Sequence, residues 1–455
     1  MENRLARSLV LAVLCGSVAW GAYFPDHVVN HQPEWLKATP PKRAMTPIRD
    51  FFPRGVYGGS YGEQTWAFQL DDLRTHHMNC WWLNGGGVKD DDLDTLFTMA
   101  EQSGVRIIWA DNGDPMCYLL RWSRTTPQWR RGRYEKVIAP LIRRRVPRFK
   151  DRWGLLAWVV SEEMPPYVVD EVQPHVKLLR QLDTNHPPLL LYNRPEAARR
   201  AVELLEPEVI TTDVYPLGRD PRCCPDTVAK AMALYRRFCR TYAQIARSAG
   251  AALWIMPQAF GSHQAWKPGK PWEGWMGGYY MPHPTFCTWE AWAAIAEGAT
   301  GIIYYHYYGG HDHRELTMRT EMWNETCQLK AIGDAFAEIE KIAPCLLRAE
   351  LDHGVVRIAS TERDVRVVGF KPKAGPAALR LVVAVNDNII NRRTFQLQHD
   401  KGAAVRIVDL ADGRDVTDES KACNLALVAG TGRLFAIGTA ADIAAFRAAC
   451  TAPAK

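Results

Sequence analysis

Short apolar runs alternate with longer amphipathic stretches from about residue 52 to residue 342. Apolar runs of this length are typical of buried strands, and apolar positions three and four residues apart are typical of helices that bury one face. The pattern predicts eight strand–helix pairs. The predicted strands are 55–57, 80–83, 105–110, 155–160, 188–192, 209–212, 252–256 and 301–305. The predicted helices are 65–77, 91–102, 134–149, 168–182, 196–205, 226–248, 288–297 and 319–342.

Eight such pairs over roughly 290 residues predict a (β/α)8 barrel. The alternative for the same alternation is an open, doubly wound parallel sheet. That fold binds dinucleotides on a glycine-rich loop, and the glycines at 58–59 and 85–87 lack the required spacing. We therefore expect a barrel over residues 51–345 and no nucleotide cofactor.

The pattern changes after Pro344, where Gly and Asp turns separate short β runs. The runs are 355–358, 365–370, 379–385, 394–397, 405–408 and 434–437. They predict an antiparallel β-sandwich over 346–440, followed by a tail over 441–455. We expect this domain to pack against the barrel, and we prefer that role to carbohydrate binding.

The N-terminus has the arrangement of a secretory signal peptide. Arg4 and Arg7 precede an apolar run over 9–18, and Ala19 and Gly21 are small residues at the cleavage positions. The run is too short to span a bilayer. We expect cleavage after residue 21, an extension over 22–50, and a secreted or periplasmic protein that does not remain in the membrane.

Ten of the eleven cysteines would remain after that cleavage, since Cys15 lies in the signal peptide. An exported protein with an even number of cysteines can form disulfides, although sequence alone does not give their pairing. Cys423 and Cys450 are the two cysteines of the C-terminal region and are a natural candidate pair.

Charge and aromatic content narrow the range of partners. The formal net charge is only +6 over 455 residues, and the basic runs at 130–133 and 143–145 have no interleaved aromatic residues. This composition does not favour nucleic-acid binding. Seventeen Trp residues suit ligands that have both an apolar face and polar edges.

In a (β/α)8 barrel the active site lies at the carboxyl ends of the strands. The residues at those ends are rich in carboxylates, amides and rings, and sugars need this mixture for their hydroxyl groups and C–H faces. The candidate substrate-binding residues are Tyr57, Trp82, Asn84, Asp111, Asn193, Tyr215, Gln258 and His306. Trp272 and Glu273 join them from an aromatic loop over 266–275 that is expected to overhang the site.

Strand four ends in two consecutive carboxylates, Glu162 and Glu163. Cleavage of a glycosidic bond needs two carboxyl groups that flank the bond. Because side chains alternate along a strand, we expect one of the two glutamates to face the barrel mouth. Asp213, at the end of strand six, is a candidate for the second carboxyl group.

Two short motifs resemble those of clan A glycoside hydrolases, especially their β-galactosidase-like members. Glu162-Glu163-Met164-Pro165 is similar to the end of their strand four, and Asp213-Val214-Tyr215-Pro216 is similar to their strand-six motif. The stretch 290–305 resembles their last helix–strand unit. The resemblance implies a barrel followed by a sandwich, a carbohydrate substrate, and Glu163 as the acid/base with a raised pKa.

One position departs from that family. Its nucleophile is a glutamate at the end of strand seven, where this chain has Gln258, and an amide cannot act as a carboxylate nucleophile. Either another carboxylate acts, or the enzyme inverts the anomeric configuration, or hydrolysis has been lost. The candidates for the second group are Asp213, Asp111, Glu273 and Glu290.

Our hypothesis is a secreted glycoside hydrolase. The alternative is a non-hydrolytic carbohydrate-binding barrel, and a lyase on the same fold is a third possibility. His306, His311, Asp312 and His313 follow strand eight, but this spacing alone is a weak metal motif. We therefore expect neither a metal site nor a cofactor.

Overall fold

The barrel predicted from the sequence is present in the computed structural model of the chain. The structure describes residues 24–59, 62–84, 88–110, 126–218, 227–262, 279–308, 315–320, 322–352, 359–398, 405–417 and 423–451. Eight parallel strands form a closed barrel in chain order, with strand eight paired to strand one. The strands are β1 (Arg54–Tyr57), β2 (Cys80–Asn84), β3 (Arg106–Ala110), β4 (Leu155–Glu162), β5 (Pro188–Tyr192), β6 (Val209–Asp213), β7 (Ala252–Met256) and β8 (Gly301–Tyr305).

Helices surround the barrel. They are α1 (Asp26–Val29) in the N-terminal extension, then α2 (Trp66–Thr75), α3 (Asp90–Ser103), α4 (Pro127–Arg133), α5 (Ala139–Phe149), α6 (Pro166–Leu182), α7 (Pro195–Leu205), α8 (Val228–Ser248), α9 (Pro284–Ala296) and α10 (Cys327–Leu347). A π-helical segment, Tyr134–Ile138, joins α4 to α5. The last of these helices differs most from the prediction of 319–342. It begins after Thr326, whose hydroxyl caps it, because Arg319 is held in the preceding loop by a buried ion pair with Asp72.

The C-terminal domain is built from two antiparallel sheets, in agreement with the predicted sandwich. Its strands are β9 (Ala349–Leu351), β10 (Ala359–Ser360), β11 (Val365–Pro372), β12 (Arg380–Asn386), β13 (Arg393–Gln398), β14 (Arg406–Asp409), β15 (Cys423–Leu427) and β16 (Gly432–Gly438). The first sheet has the order β9-β11-β12-β16-β14 and the second β10-β13-β15. Residues predicted as a tail form most of a final helix, α11 (Ala440–Thr451).

The two domains share one hydrophobic core. Alternate residues of β12 face the second sheet, whereas Leu381, Val383 and Val385 belong to the same buried cluster as the barrel helices. Gly432 allows the close approach, because a Cβ atom there would lie 2.5 Å from the Trp292 ring of α9. The expected packing of this domain against the barrel is therefore confirmed.

Polar contacts across the same interface centre on Asp387. Its carboxylate accepts hydrogen bonds from Trp289 (2.7 Å), Arg236 (2.9 Å) and Arg366 (3.1 Å). Trp289 and Arg236 lie on barrel helices, and Arg366 lies on β11. These bonds hold α9, the helix before β8, in a fixed relation to the sandwich.

Candidate active site

The barrel interior is filled by side chains from alternate strand positions. Tyr57, Trp82, Leu191, Met256 and Ile303 are among them. Among the described residues, the layer above these side chains, at the carboxyl ends of the strands, contains three acidic side chains. They are Glu162 at the end of β4, Glu163 directly after it, and Asp213 at the end of β6.

A bulge in β4 directs Glu162 toward the barrel interior. Val159 pairs with Leu189, but Ser161 pairs with Leu190, so Val160 is an extra residue in the ladder. Glu162 therefore shares the register of the inward-facing Leu191. Bulges commonly redirect side chains beside active sites in this way.

Glu162 is hydrogen-bonded across the barrel by the side chain of Tyr57. The Tyr57 hydroxyl lies 3.0 and 3.3 Å from the two oxygens of the Glu162 carboxyl group. Burial, together with the negative charge of Glu163, raises the pKa of Glu162 to about 8, although the hydrogen bonds from Tyr57 and Trp82 favour the ionised form. At neutral pH this carboxyl group is therefore mainly protonated and can donate a proton.

Glu163 has an unusual backbone conformation. Its φ angle is +48°, in the left-handed region that side chains other than glycine rarely adopt. Its N–H donates to the carbonyl oxygen of Leu191 at 2.8 Å, which fixes this turn at the end of β4. The turn allows consecutive glutamates to reach the same mouth, whereas a regular strand would direct them to opposite sides.

Asp213 and Glu163 form a hydrogen-bonded pair of carboxyl groups. Burial raises the pKa of Asp213 well above its ordinary value, and the charge of Glu163 and the hydrogen bond with it add to the effect. Two carboxyl groups can share a hydrogen bond only if one of them keeps its proton. The buried Oδ1 atom of Asp213 has no hydrogen-bond partner among the described residues and can accept one from a ligand.

Aromatic rings form one side of the mouth. Tyr215 contacts Phe260 and Tyr305, with ring centroids 4.9 and 5.6 Å apart. The Tyr305 ring is stacked on His306 at 4.6 Å. Gly58 makes room for this stack, because a Cβ atom there would lie 2.1 Å from the His306 ring. These rings provide apolar faces next to the carboxyl groups.

Solved structures with the same architecture are glycoside hydrolases. A family 5 glycoside hydrolase from Bacteroides vulgatus aligns with a TM-score of 0.53 and 11% identity, over 86% of this chain and 90% of that chain. A second glycoside hydrolase gives 0.53 and 10%, over 86% and 93%. The α-amylase of Geobacillus thermoleovorans, solved with acarbose, gives 0.52 and 10%, over 87% and 100%.

The chain has the fold of barrel-type glycoside hydrolases. The expected resemblance to these enzymes is therefore confirmed for the fold. By sequence, no protein-family model and no curated protein matches the chain. At 10–11% identity this similarity establishes the fold and does not assign roles to particular residues. The roles follow from the contacts and pKa shifts of the residues at the mouth.

Gln258 has a different role from the substrate contact that we expected. It is fully buried, and its amide oxygen accepts a hydrogen bond from the backbone N–H of Leu217 at 3.0 Å. Its amide nitrogen lies within 3.2 Å of the carbonyl oxygens of Leu217, Phe260 and Tyr280. Both N–H groups are thus used by the backbone, and Gln258 joins the segments after β6 and β7 instead of binding a sugar.

Two other candidates are also too deep for the roles that we considered. Trp82 is fully buried, its ring packs against Tyr57 at 5.6 Å, and its indole favours the ionised form of Glu162 and so opposes the rise in the pKa of that carboxyl group, so Trp82 supports Tyr57 and Glu162 and does not stack on a sugar. Glu290 lies on α9, outside the barrel wall, and is fully buried. This position removes Glu290 from the candidates for the second catalytic carboxylate.

Asn193 remains a good candidate for binding a sugar hydroxyl group. It directly follows β5 and is half-buried. Its amide oxygen is inaccessible to water, and no hydrogen-bond partner for it lies in the part of the chain that the structure describes. Because this oxygen is closed to water, a sugar could reach it only after the side chain turns, and the ligand would then supply the partner that buried polar atoms usually have.

The remaining predicted positions fall outside the described residues. These are Asp111, Trp272, Glu273 and the side chain of Asn84, together with His311, Asp312 and His313. Within the described ranges, no three His, Cys, Asp or Glu side chains are arranged to hold a metal ion. No helix in those ranges is both long and apolar enough to cross a membrane.

Tyr305 and Phe260 are parts of the mouth that were not predicted from the sequence. Tyr305 could have been found from strand alternation, because Ile303 faces the interior and Tyr305 is two residues further along β8. Phe260 follows β7 in an irregular segment, and no period in the sequence indicates where its ring points.

Proposed function

We propose that this protein hydrolyses O-glycosidic bonds of an oligo- or polysaccharide, with Glu162 as the general acid. The strongest support is the position of Glu162: its carboxyl group is bound by the Tyr57 hydroxyl, lies next to the hydrogen-bonded pair of Asp213 and Glu163, and has a raised pKa. A general acid must carry its proton at the working pH, and a base must be near it. This assignment moves the acid from Glu163, the residue implied by the family motif, to Glu162.

In the proposed reaction, Glu162 gives its proton to the oxygen of the leaving sugar as the glycosidic bond breaks. A water molecule attacks the anomeric carbon, and its proton passes to the pair formed by Asp213 and Glu163. That pair holds one proton before the reaction and two after it, while Glu162 becomes ionised. Proton exchange with solvent then restores the starting state.

Gln258 is the reason for preferring direct attack by water. The amide at the end of β7 cannot form a covalent glycosyl intermediate, and its hydrogen bonds show it to be part of the scaffold. Direct attack inverts the anomeric configuration. Tyr215, Tyr305, His306 and Asn193 would contact the sugar.

Hydrolysis is tested by incubating the purified protein with chromogenic glycosides and with plant or algal polysaccharides, and by measuring new reducing ends. Proton NMR early in the reaction identifies the anomer of the product. An inverted product supports attack by water, whereas a retained one would require a carboxylate nucleophile, for which Asp213 and Glu273 are the next residues to test.

The second candidate function is carbohydrate binding without hydrolysis, and the amide of Gln258 in place of a carboxylate at the end of β7 favours it. Calorimetry with the same polysaccharides separates the two. Binding of a glycan that remains intact after prolonged incubation supports the binding function and contradicts the hydrolase.

We also propose that the protein is exported, on the basis of its basic and apolar N-terminus. N-terminal sequencing of the protein recovered from outside the cytoplasm tests this. A mature chain that begins near residue 22 is expected, and a chain that keeps its first residues contradicts signal cleavage.

A further inference from the structure

Two cysteines meet where the C-terminal helix packs against the helix that follows the barrel. Cys345 lies near the end of α10, and Cys450 near the end of α11. Both are buried in the main hydrophobic cluster of the molecule. The two helices pack against each other, and the two thiols interact closely enough to shift each other's pKa. Residues 105 positions apart in the chain are thus brought together by the packing of two helices.

Other cysteines have different neighbours. Cys239 hydrogen-bonds to Tyr235, Cys287 lies 4.0 Å from the carbonyl oxygen of Gln258, and exposed Cys327 contacts the side chain of Gln328. The side chain of Cys423, which we expected to pair with Cys450, lies outside the described residues. Among the cysteines whose side chains the structure describes, Cys345 is therefore the partner that the packing gives to Cys450.

The surroundings also favour reaction of the thiols. The hydrogen bond from Cys450 lowers the pKa of the Cys345 thiol, and the charges of Arg447 and Arg348 lower it further, against the opposing effect of burial. A thiolate is the nucleophile in disulfide exchange. Three residues of α11 are buried, Ile443, Phe446 and Cys450, and local opening of a helix with so few buried side chains would admit an oxidant.

We propose that Cys345 and Cys450 form a disulfide that fastens the C-terminal helix to α10, with a small or protein disulfide as the oxidant. The Cys345 thiolate attacks the oxidant disulfide and releases one of its thiols. Cys450, after losing its proton, then attacks the sulfur of Cys345 and releases the second. Two electrons and two protons pass to the oxidant, which becomes two thiols. This disulfide does not depend on the proposed catalytic activity.

Peptide mapping of the full-length protein tests the disulfide directly. The protein is incubated with oxidised glutathione, denatured, alkylated and digested with trypsin without reductant. We expect the peptides 342–348 and 448–455 to be joined, and to separate on reduction with a gain of two hydrogen atoms. Free, alkylated Cys345 and Cys450 after oxidation, or Cys450 joined to Cys423, would overturn the proposal.

Thermal unfolding provides a second readout. The oxidised wild-type protein should melt several degrees above the reduced protein, because the disulfide closes a long loop. This difference should vanish in Cys345→Ser and in Cys450→Ser, and it should persist in Cys327→Ser, the matched control. An oxidation-dependent shift of the same size in Cys345→Ser and Cys450→Ser would assign the stabilisation to other cysteines.

Discussion

Replacing Tyr57 with Phe should move the alkaline limb of the pH–activity profile upward. In the wild type, Glu162 must be protonated to act as the acid, so activity falls as pH rises through its pKa of about 8. The Tyr57 hydroxyl donates to this carboxyl group and favours its ionised form. A hydrogen bond to a charged group is worth about 1.5–3 kcal/mol, or roughly 1–2 pKa units. Because the protonated carboxyl can keep part of that bond, we expect a shift of about one unit.

The assay is kcat/KM measured between pH 5 and 10 on a substrate found in the screen. Tyr134→Phe is the matched control, because its hydroxyl bonds to the carbonyl oxygen of Pro174 on the outer wall. The control should keep the wild-type profile. An unchanged or lowered alkaline limb in Tyr57→Phe would refute the assignment of that limb to Glu162.

Three further changes probe the remaining parts of the structure. Asp213→Asn should abolish hydrolysis while leaving the melting temperature nearly unchanged, and substantial residual kcat would reduce Asp213 to a structural role. Burial raises the pKa of Glu290, so its native state holds a proton that the unfolded chain loses above about pH 4.5, and folding stability falls as pH rises. In Glu290→Gln the unfolding free energy should therefore fall less steeply between pH 5 and 8, by up to about 1.4 kcal/mol per pH unit. Urea titrations at each pH measure this slope. A decrease as steep as in the wild type contradicts the burial of Glu290. Asp387→Ala should destabilise the protein by about 3–5 kcal/mol, because it leaves two arginines and the Trp289 N–H without their shared acceptor. Calorimetry measures this loss, and a change below about 0.5 kcal/mol would show that the interface depends on apolar packing.

The barrel could be predicted because the same pattern, a short apolar run followed by an amphipathic stretch, occurs eight times in the sequence. Eight apolar runs at a regular distance identify the fold even where single boundaries are wrong, as at the start of α10. The residues at the strand ends followed from the same count, and this placed one of the two glutamates, Glu162 or Glu163, at one mouth with Asp213.

The roles of those residues could not be predicted in the same way. Regular alternation from Val159 would turn Glu162 away from the interior, and only the extra residue Val160 in the ladder reverses this. A bulge leaves no period in the sequence. Because of the extra residue Val160, Glu162 takes the position of the general acid that the sequence had predicted for Glu163.

Gln258 and Cys450 illustrate a second limit of the sequence. Gln258 is at a strand end, where a substrate contact is expected, but the backbone of two loops uses its amide. Cys450 is close to Cys423 in the chain, yet its helix packs against the helix of Cys345, and the two thiols shift each other's pKa. Both outcomes depend on long-range packing, which neither composition nor spacing encodes.

The assignment of Glu162 as the general acid is tested by measuring the activity of Glu162→Gln and Glu163→Gln on two substrates with the same sugar. One substrate has a good aryl leaving group that needs no protonation, and the other has a sugar leaving group that does. General acid catalysis is worth about 10²–10⁴-fold. We predict that Glu162→Gln loses this factor on the sugar substrate and much less on the aryl one, while Glu163→Gln loses activity similarly on both. Full activity of Glu162→Gln on the sugar substrate, with the selective loss seen in Glu163→Gln instead, would contradict the account.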